Sequence, residues 1–320
     1  MTRIVWGIGR KLGSAALSLA ILITLTFVLV HIAPGSPVYQ ILGPKASPAS
    51  IRELNHALGL DLPFWQQYFR WWIDLAHGQL GTSYAVERPV GSLIVSYELN
   101  TLSLQVVSLV GSLLIALALG LAHGVYYDRT PGRVIGGLEL ALYAMPSFFS
   151  GTLLILFFSM QLGWFPAGGL ENLRLAHQTV ASNALHMALP AVTIVLLTVP
   201  VLSRYFAQSV HEELGRDYVR SAAARGASPS RILVHHVIRN AMRPLVTVLG
   251  LSLPSIFAGG VVVETVFSYP GLGWLLWRSA LAQDYPVLIG IVLVIGILTV
   301  LGNLLADIAN TLLDPRTGYA

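Results

Sequence analysis

Six stretches of this chain contain no Asp, Glu, Lys or Arg: 12–44, 99–127, 140–170, 175–203, 244–263 and 285–306. A helix needs about 20 apolar residues to cross the hydrocarbon of a bilayer. Trimmed for Pro and Gly, these runs predict six helices, at roughly 10–33, 98–127, 136–161, 185–208, 242–266 and 285–313. The fold class expected is therefore an all-α membrane protein with six transmembrane helices. Composition agrees: 55% of the residues are hydrophobic and 11% charged, whereas soluble domains carry about 25% charge. A soluble enzyme, a disordered chain and a collagen-like fibre are excluded on that ground.

The first apolar run, 12–33, is longer than the core of a cleavable signal peptide and no small-residue cleavage site follows it, so it reads as a retained anchor. Gly120 and Gly124, four residues apart, suit close helix–helix contact. The chain has no Cys, which removes disulfides, thiolate nucleophiles and Cys-ligated metals. Orientation follows from Lys and Arg. With six spans, one side holds the N-terminus, 128–135, 209–241 and the C-terminus, and carries 13 basic residues against 6 on the other. Both termini are expected in the cytoplasm. The net charge of +4 is largely this topological signal and does not point to nucleic acid.

Two long excursions remain. In 34–97, on the outer side, a helix is expected after Ser47-Pro48, with Ile51, Leu54 and Leu58 on one side and Gly59 as its stop. A second helix, from Pro63 to about Leu75, carries Phe64, Trp65, Tyr68, Phe69, Trp71 and Trp72. Such an aromatic helix suits the headgroup level of a membrane, packing on the bundle, or docking of a soluble partner.

The inner excursion, 209–241, reads as two short amphipathic helices joined at Gly226. The first is expected over Val210–Arg225, with Glu212–Arg216 and Asp217–Arg220 pairs. Ser228 is expected to cap the second and Pro229 to open it. Tyr218, Ala222 and Arg225 share a face, and the small alanines allow a partner to approach closely. Neither lysine follows a glycine, since Lys11 follows Arg10 and Lys45 follows Pro44. The chain therefore lacks the Gly-Lys of a nucleotide-binding loop. His235 and His236, adjacent on a helix, diverge by ~100° and do not converge on one metal ion. No His-Glu-x-x-His or Gly-x-Ser-x-Gly is present. Polar residues inside spans are functional candidates by default; these are Asn100, His123, Glu139, Met145, Ser147, His186, Glu264, Asn303 and Asp307.

The run Asp217-Tyr218-Val219-Arg220-Ser221-Ala222-Ala223-Ala224-Arg225-Gly226, with Pro244 eighteen residues beyond Gly226, resembles the coupling loop of ABC importer permeases, specifically the oligopeptide/dipeptide/nickel family. Further motifs match along nearly the whole chain: His31-Ile32-Ala33-Pro34-Gly35-Ser36-Pro37, Leu58-Gly59-Leu60-Asp61-Leu62-Pro63 with Gln67-Tyr68, Met145-Pro146-Ser147-Phe148, Leu162-Gly163-Trp164-Phe165-Pro166, Val263-Glu264-Thr265-Val266-Phe267 with Pro270-Gly271-Leu272-Gly273, Asp284-Tyr285-Pro286, and Leu313-Asp314-Pro315-Arg316. One departure is that Arg220-Ser221-Ala222 stands where the broader ABC pattern has Glu-Ala-Ala. The acidic contact of other subfamilies is therefore not transferred to Arg220.

The resemblance implies a type I importer permease fold in a bacterial inner membrane. An anchor helix (10–33) and periplasmic segment (34–97) would precede a five-helix core, 98–320, with a cytoplasmic coupling loop at 209–241. It implies a non-catalytic transport subunit that binds no cofactor, with ATP and Mg held by two separate ATPase subunits. A second, related permease and a periplasmic or lipid-anchored binding protein would complete the assembly. The cargo implied is a di- or oligopeptide, with nickel or a metal chelate, or glutathione, as alternatives in the same family. A secondary transporter or channel is the rival from another class. The resemblance assigns ATPase coupling to Asp217, Tyr218, Arg220, Ala222, Ala223, Arg225 and Gly226. Asn100, Met145, Ser147, Glu264, Asn303 and Asp307 are candidates for the translocation path or a subunit interface.

Overall fold

The computed structural model describes residues 2–43, 46–170, 179–258 and 260–313. The helices in chain order are α1 (Thr2–Ile32), α2 (Pro37–Leu42), α3 (Pro48–Ala57), α4 (Phe64–Ala76), α5 (Val90–Val125), α6 (Thr130–Tyr143), α7 (Ser147–Leu154), α8 (Val180–Leu214), α9 (Asp217–Ala224), α10 (Pro229–Ile232), α11 (Arg239–Ala258), α12 (Val261–Val266), α13 (Leu272–Leu281) and α14 (Tyr285–Leu313). A π-helical turn, Ile155–Gln161, extends α7, and another, Leu233–Ile238, joins α10 to α11.

Among the described residues four stretches are long and apolar enough to cross a membrane: Gly13–Ile32, Val90–Val125, Val180–Leu214 and Tyr285–Leu304. The expected continuous helix over 136–161 is broken. Its two arms, Thr130–Tyr143 and Ser147–Gln161, meet at 98° and make a fifth span if taken together. The cause is Pro146, whose ring disfavours helical backbone at Met145; Pro146 itself is extended, at φ −62° and ψ 140°. The helix expected over 242–266 is α11, which ends at Ala258, followed by α12; the side chains of residues 251–259 lie outside the described residues. α5 and α8 both exceed their expected lengths. Glu98 did not end α5, because it is buried within the helix, and Thr179 caps α8 early by accepting from the Ser182 N–H at 3.1 Å.

The chain divides into two compact units, one of Met1–Asn100 with Gly271–Val300 and the other of Thr101–Pro270 with Leu301–Ala320. In the first, Ile23 and Phe27 of α1 pack with Ile289 and Leu293 of α14, covered by Tyr68, Trp71, Trp72 and Leu75 of α4. A neighbouring cluster joins Val90, Leu93 and Ile94 to Leu272, Leu275, Val287 and Ile291. α3 and α4 occur as expected, with Ser47 accepting from the Ser50 N–H and Gly59 at φ +67°.

In the second unit, α5 lies directly on α8. A Cβ on Gly120 would stand 2.7 Å from the Ser203 carbonyl oxygen, and one on Gly124 would stand 2.6 Å from that of Ala207. The spacing noted in the sequence thus marks a real backbone approach. Around it, Ala116, Leu202, Phe206 and Val210 form a core that continues through Val219, Ala222 and Ile232 into Val237, Ala241 and Leu245. A second cluster gathers Leu104, Leu189, Val263, Phe267 and Tyr269.

Candidate functional site

The helix–Gly–helix element is the most articulated part of the second unit. Its first helix differs from the expected Val210–Arg225: Val210–Leu214 completes α8, the chain turns at Gly215-Arg216, and α9 begins at Asp217. Val210 is fully buried in the core, which holds that turn in α8. Gly226 then ends the element at φ +82°, a conformation costing other L-residues roughly 1–2 kcal/mol. Pro229 opens α10 as expected. Ser228 stands at its N-cap as expected but makes no side-chain capping bond; its hydroxyl faces that of Ser230 at 3.3 Å.

The ion pairs are rearranged as well. Arg216 approaches Glu213 at 3.9 Å rather than Glu212, which accepts instead from Gln208 at 2.7 Å. Asp217 and Arg220 pair at 3.7 Å, both well exposed. Such a pair contributes little to stability. Arg225 has no ion-pair partner among the described residues, and Asp217, Arg220, Ala223, Arg225 and Gly226 all face outward. Ala222 does not: with Val219 it is buried in the chain's own core. It anchors α9 from within, so the outward surface belongs to the charged residues and Ala223.

Tyr218 does the joining. Its hydroxyl donates to the Glu213 carboxylate of α8 and accepts from Asn240 Nδ2 of α11 at 3.1 Å. Asn240 also donates to the His236 carbonyl at 3.0 Å. Burial, then the bond to Glu213, pushes the Tyr218 hydroxyl above its ordinary pKa. One side chain thereby ties the helix before the element to the helix after it. Sequence reasoning gave Tyr218 a contact role and missed Glu213 and Asn240, which lie five residues before and 22 after it.

The polar residues of the spans divide into buried and partly exposed. Glu139 and His123 do not snorkel, as their positions near the span ends had suggested. Glu139 is 2% exposed, meets His123 Nδ1 at 2.9 Å and accepts from the Ser203 hydroxyl. It ties α5, α6 and α8 together. Glu264 is fully buried and accepts from Thr101 at 2.8 Å. His186 donates through Nδ1 to the Ser182 carbonyl one turn back, at 2.8 Å. Met145 and Ser147 flank the bend of the α6–α7 pair and are half-buried, as is Asn100. Asn303 is exposed, and the side chain of Asp307 lies outside the described residues, as do Lys45, Arg174 and Asp314-Pro315-Arg316.

A second polar site was not foreseen. Asp284, whose Asp-Tyr-Pro run was noted without a role, is 2% exposed. It accepts from Ser83 Oγ at 2.5 Å and from the backbone N–H groups of Tyr84 and Ala85 at 3.1 and 3.2 Å. Burial, and then the Asp284 charge, pushes the Tyr84 phenol up to about 12.

Comparison with known proteins places this geometry in a family. Residues 112–319 match the family described as "Binding-protein-dependent transport system inner membrane component", and residues 4–108 match its N-terminal counterpart. The oligopeptide transport system permease protein AppB of Bacillus subtilis is 36% identical over 98% of both chains. The glutathione transport system permease protein GsiC of Salmonella paratyphi A is 35% identical over 94% of this chain and 95% of its own. A probable peptide ABC transporter permease of Sinorhizobium fredii is 34% identical over 97% and 98%. Among solved structures, an amino acid ABC transporter chain aligns with a TM-score of 0.51 and 14% identity, over 69% of this chain and 94% of that one, and so shares the fold. The chain therefore belongs to the binding-protein-dependent transport system inner membrane components, the membrane-spanning permease subunits of ABC importers.

Proposed function

We propose that this permease carries di- or oligopeptides, or the tripeptide glutathione, across a bacterial inner membrane after delivery by an external binding protein. The observation that carries the reading is the near full-length similarity to oligopeptide and glutathione permeases. In the proposed arrangement the chain crosses six times with both termini in the cytoplasm. Its N-terminal part, 1–97, anchors and covers the outer side, while 98–320 forms the moving core. A second, related permease and two ATPase subunits complete the complex, and ATP and Mg are bound by those ATPases alone.

The outward residues of the helix–Gly–helix element support a docking role. Asp217, Arg220, Ala223 and Arg225 would meet a groove of the ATPase, while Tyr218, Ala222 and Gly226 fix the element's angle. Closure of the ATPases would then move α8 and α11 as one lever. For the path or the subunit interface, Met145, Ser147, Asn100 and Asn303 keep part of their surface exposed, and Asp307 is retained from the sequence. Glu264 serves as a brace through Thr101.

Gentle detergent isolation of the tagged chain, with its companions identified by mass spectrometry, tests the assembly. Recovery of an ATPase and a second permease is expected. Uptake of a labelled dipeptide, a labelled pentapeptide and labelled glutathione by cells with and without the chain tests the cargo. Recovery of the chain alone, from membranes containing the other subunits, would favour a channel or secondary transporter.

A further inference from the structure

Helix α4 has three faces, and two of them are explained by the unit it belongs to. At about 100° per residue, Tyr68, Trp71, Trp72 and Leu75 fall on one sector and cover Ile23 and Phe27 of α1. Gln67, Arg70 and Asp74 fall on a second and line a cavity of about 680 Å³. The third sector is Trp65, Phe69 and Ile73, which are 68%, 62% and 58% exposed. Among the described residues nothing covers it.

Two helices that cross the membrane act as rulers for its depth. The α1 span ends at Ile32 and the α14 span starts at Tyr285. Tyr68 touches Thr24 by a 2.8 Å hydrogen bond, eight residues inside the end of α1. The same α4 face packs on Ile23 and Phe27, and on Ile289 and Leu293 of α14. At 1.5 Å per residue, these partners lie about 6–13 Å below the two span ends. Both rulers place α4 at the depth where an amphipathic helix lies in the headgroup–acyl boundary. α1 also exposes an apolar strip of its own, Leu25, Leu29 and Ile32, which are 55%, 66% and 73% exposed.

We infer that Trp65, Phe69 and Ile73 seat in the leaflet at the C-terminal end of α1, and that α4 is an in-plane membrane anchor whose occupant is lipid. Indole and phenyl groups favour that boundary, and the sector carries no charge. The polar sector then faces the aqueous side with the cavity. The inference rests on α1 and α14 crossing the bilayer, and does not depend on the cargo or the ATPase.

The absence of cysteine permits a direct test on the full chain with its companion subunits in phosphatidylcholine–phosphatidylglycerol vesicles. Spin labels are placed singly through Phe69→Cys, Ile73→Cys, Arg70→Cys on the polar sector and, as a benchmark for the span itself, Leu25→Cys. Labels at 69 and 73 are expected to collide with oxygen several-fold more than with a water-soluble nickel chelate, as at 25, and the label at 70 to reverse that ratio. If 69 and 73 prefer the chelate as 70 does, the sector faces water and the inference fails. If they are shielded from both reagents while 25 is not, a protein partner covers the sector, and the inference also fails. If 25 itself prefers the nickel chelate, the membrane reading of α1 fails instead. A fall in tryptophan quenching by brominated lipid in Trp65→Phe checks the same point without a label, should any cysteine variant fail to assemble.

Discussion

The loop from residue 79 to 89 and the segment from 215 to 228 are both short connections between helices, yet they are built in opposite ways. The first is tied down from 200 residues away: Asp284 takes the Ser83 hydroxyl and two backbone N–H groups out of solvent, and an isolated bridge pairs Thr82 with Pro89. The second has one polar clasp, Tyr218, and two inward side chains, Val219 and Ala222. The rest of its charge faces outward. A buried carboxylate that satisfies backbone donors holds a connection rigid, and its removal leaves several groups unpaired at once. Exposed charges contribute little to folding and remain available to a partner. The first connection is a fixed fitting, and the second, on the proposed function, is a surface for a partner.

If that contrast holds, damage to the second should abolish transport with the fold intact. Gly226→Pro is the strongest case. Gly226 stands at φ +82° and donates its N–H to the Ala223 carbonyl at 2.9 Å. Proline lacks that N–H and fixes φ near −65°. Uptake of labelled peptide should fall to background while the amount of chain in washed membranes stays within two-fold, roughly. Preserved uptake would refute the lever.

Damage to the first should act through stability instead. Asp284→Ala leaves the Tyr84 and Ala85 N–H groups and the Ser83 hydroxyl without their acceptor. A loss on the order of 3 kcal/mol is expected, typical of breaking a buried charged network. It is read as a lower melting temperature of the detergent-purified complex. Any fall in uptake should follow the fall in folded protein.

Tyr218→Phe joins the two cases. It removes the clasp but keeps the ring, so stability should drop by only about 1 kcal/mol. Peptide moved per ATP hydrolysed should fall several-fold, because α8 and α11 no longer turn together. Equal falls in transport and hydrolysis would assign Tyr218 to docking rather than to transmission.

Tyr84 gives a pH reading of the fitting. Its phenol is pushed up to about 12, above the ordinary value near 10. The folded state therefore binds this proton more tightly than the unfolded chain, and its contribution to stability is present below pH ~10 and lost between ~10 and ~12. In Asp284→Asn the repulsion from the carboxylate is gone. The Tyr84 transition, assigned by Tyr84→Phe in an ultraviolet titration, should move down but stay above 10, since burial is the larger cause.

The division between what sequence reveals and what it hides runs along the same line. Spans, the α3 and α4 helices and the Gly226 stop depend on residues within a few turns of one another, so periodicity and Pro or Gly placement expose them. The Gly120–Gly124 contact was legible because its spacing is helical. The bend at Pro146 was missed because the charge-free run continues through it. Asp284 with Ser83, and Glu139 with His123 and Ser203, are pairings across long stretches of chain, and no local pattern announces which acceptor a donor will meet. The exposed charges of α9 were readable, but the inward turn of Ala222 depends on where α8 ends, and that is set by the burial of Val210.

The smallest structural effect tests the contrast most sharply. Among the described residues Arg220 pairs with exposed Asp217 alone, at 3.7 Å, so Arg220→Ala should leave the melting temperature unchanged within error. If α9 is a surface read by the ATPase, the same substitution should weaken capture of the ATPase, with charge reversal, Arg220→Glu, weakening it further. Raising the salt should narrow the difference between wild type and variant, because exposed charge complementarity is screened. A salt-independent loss would mean that Arg220 acts through packing, and unaltered capture in both variants would move recognition to Ala223 and Arg225.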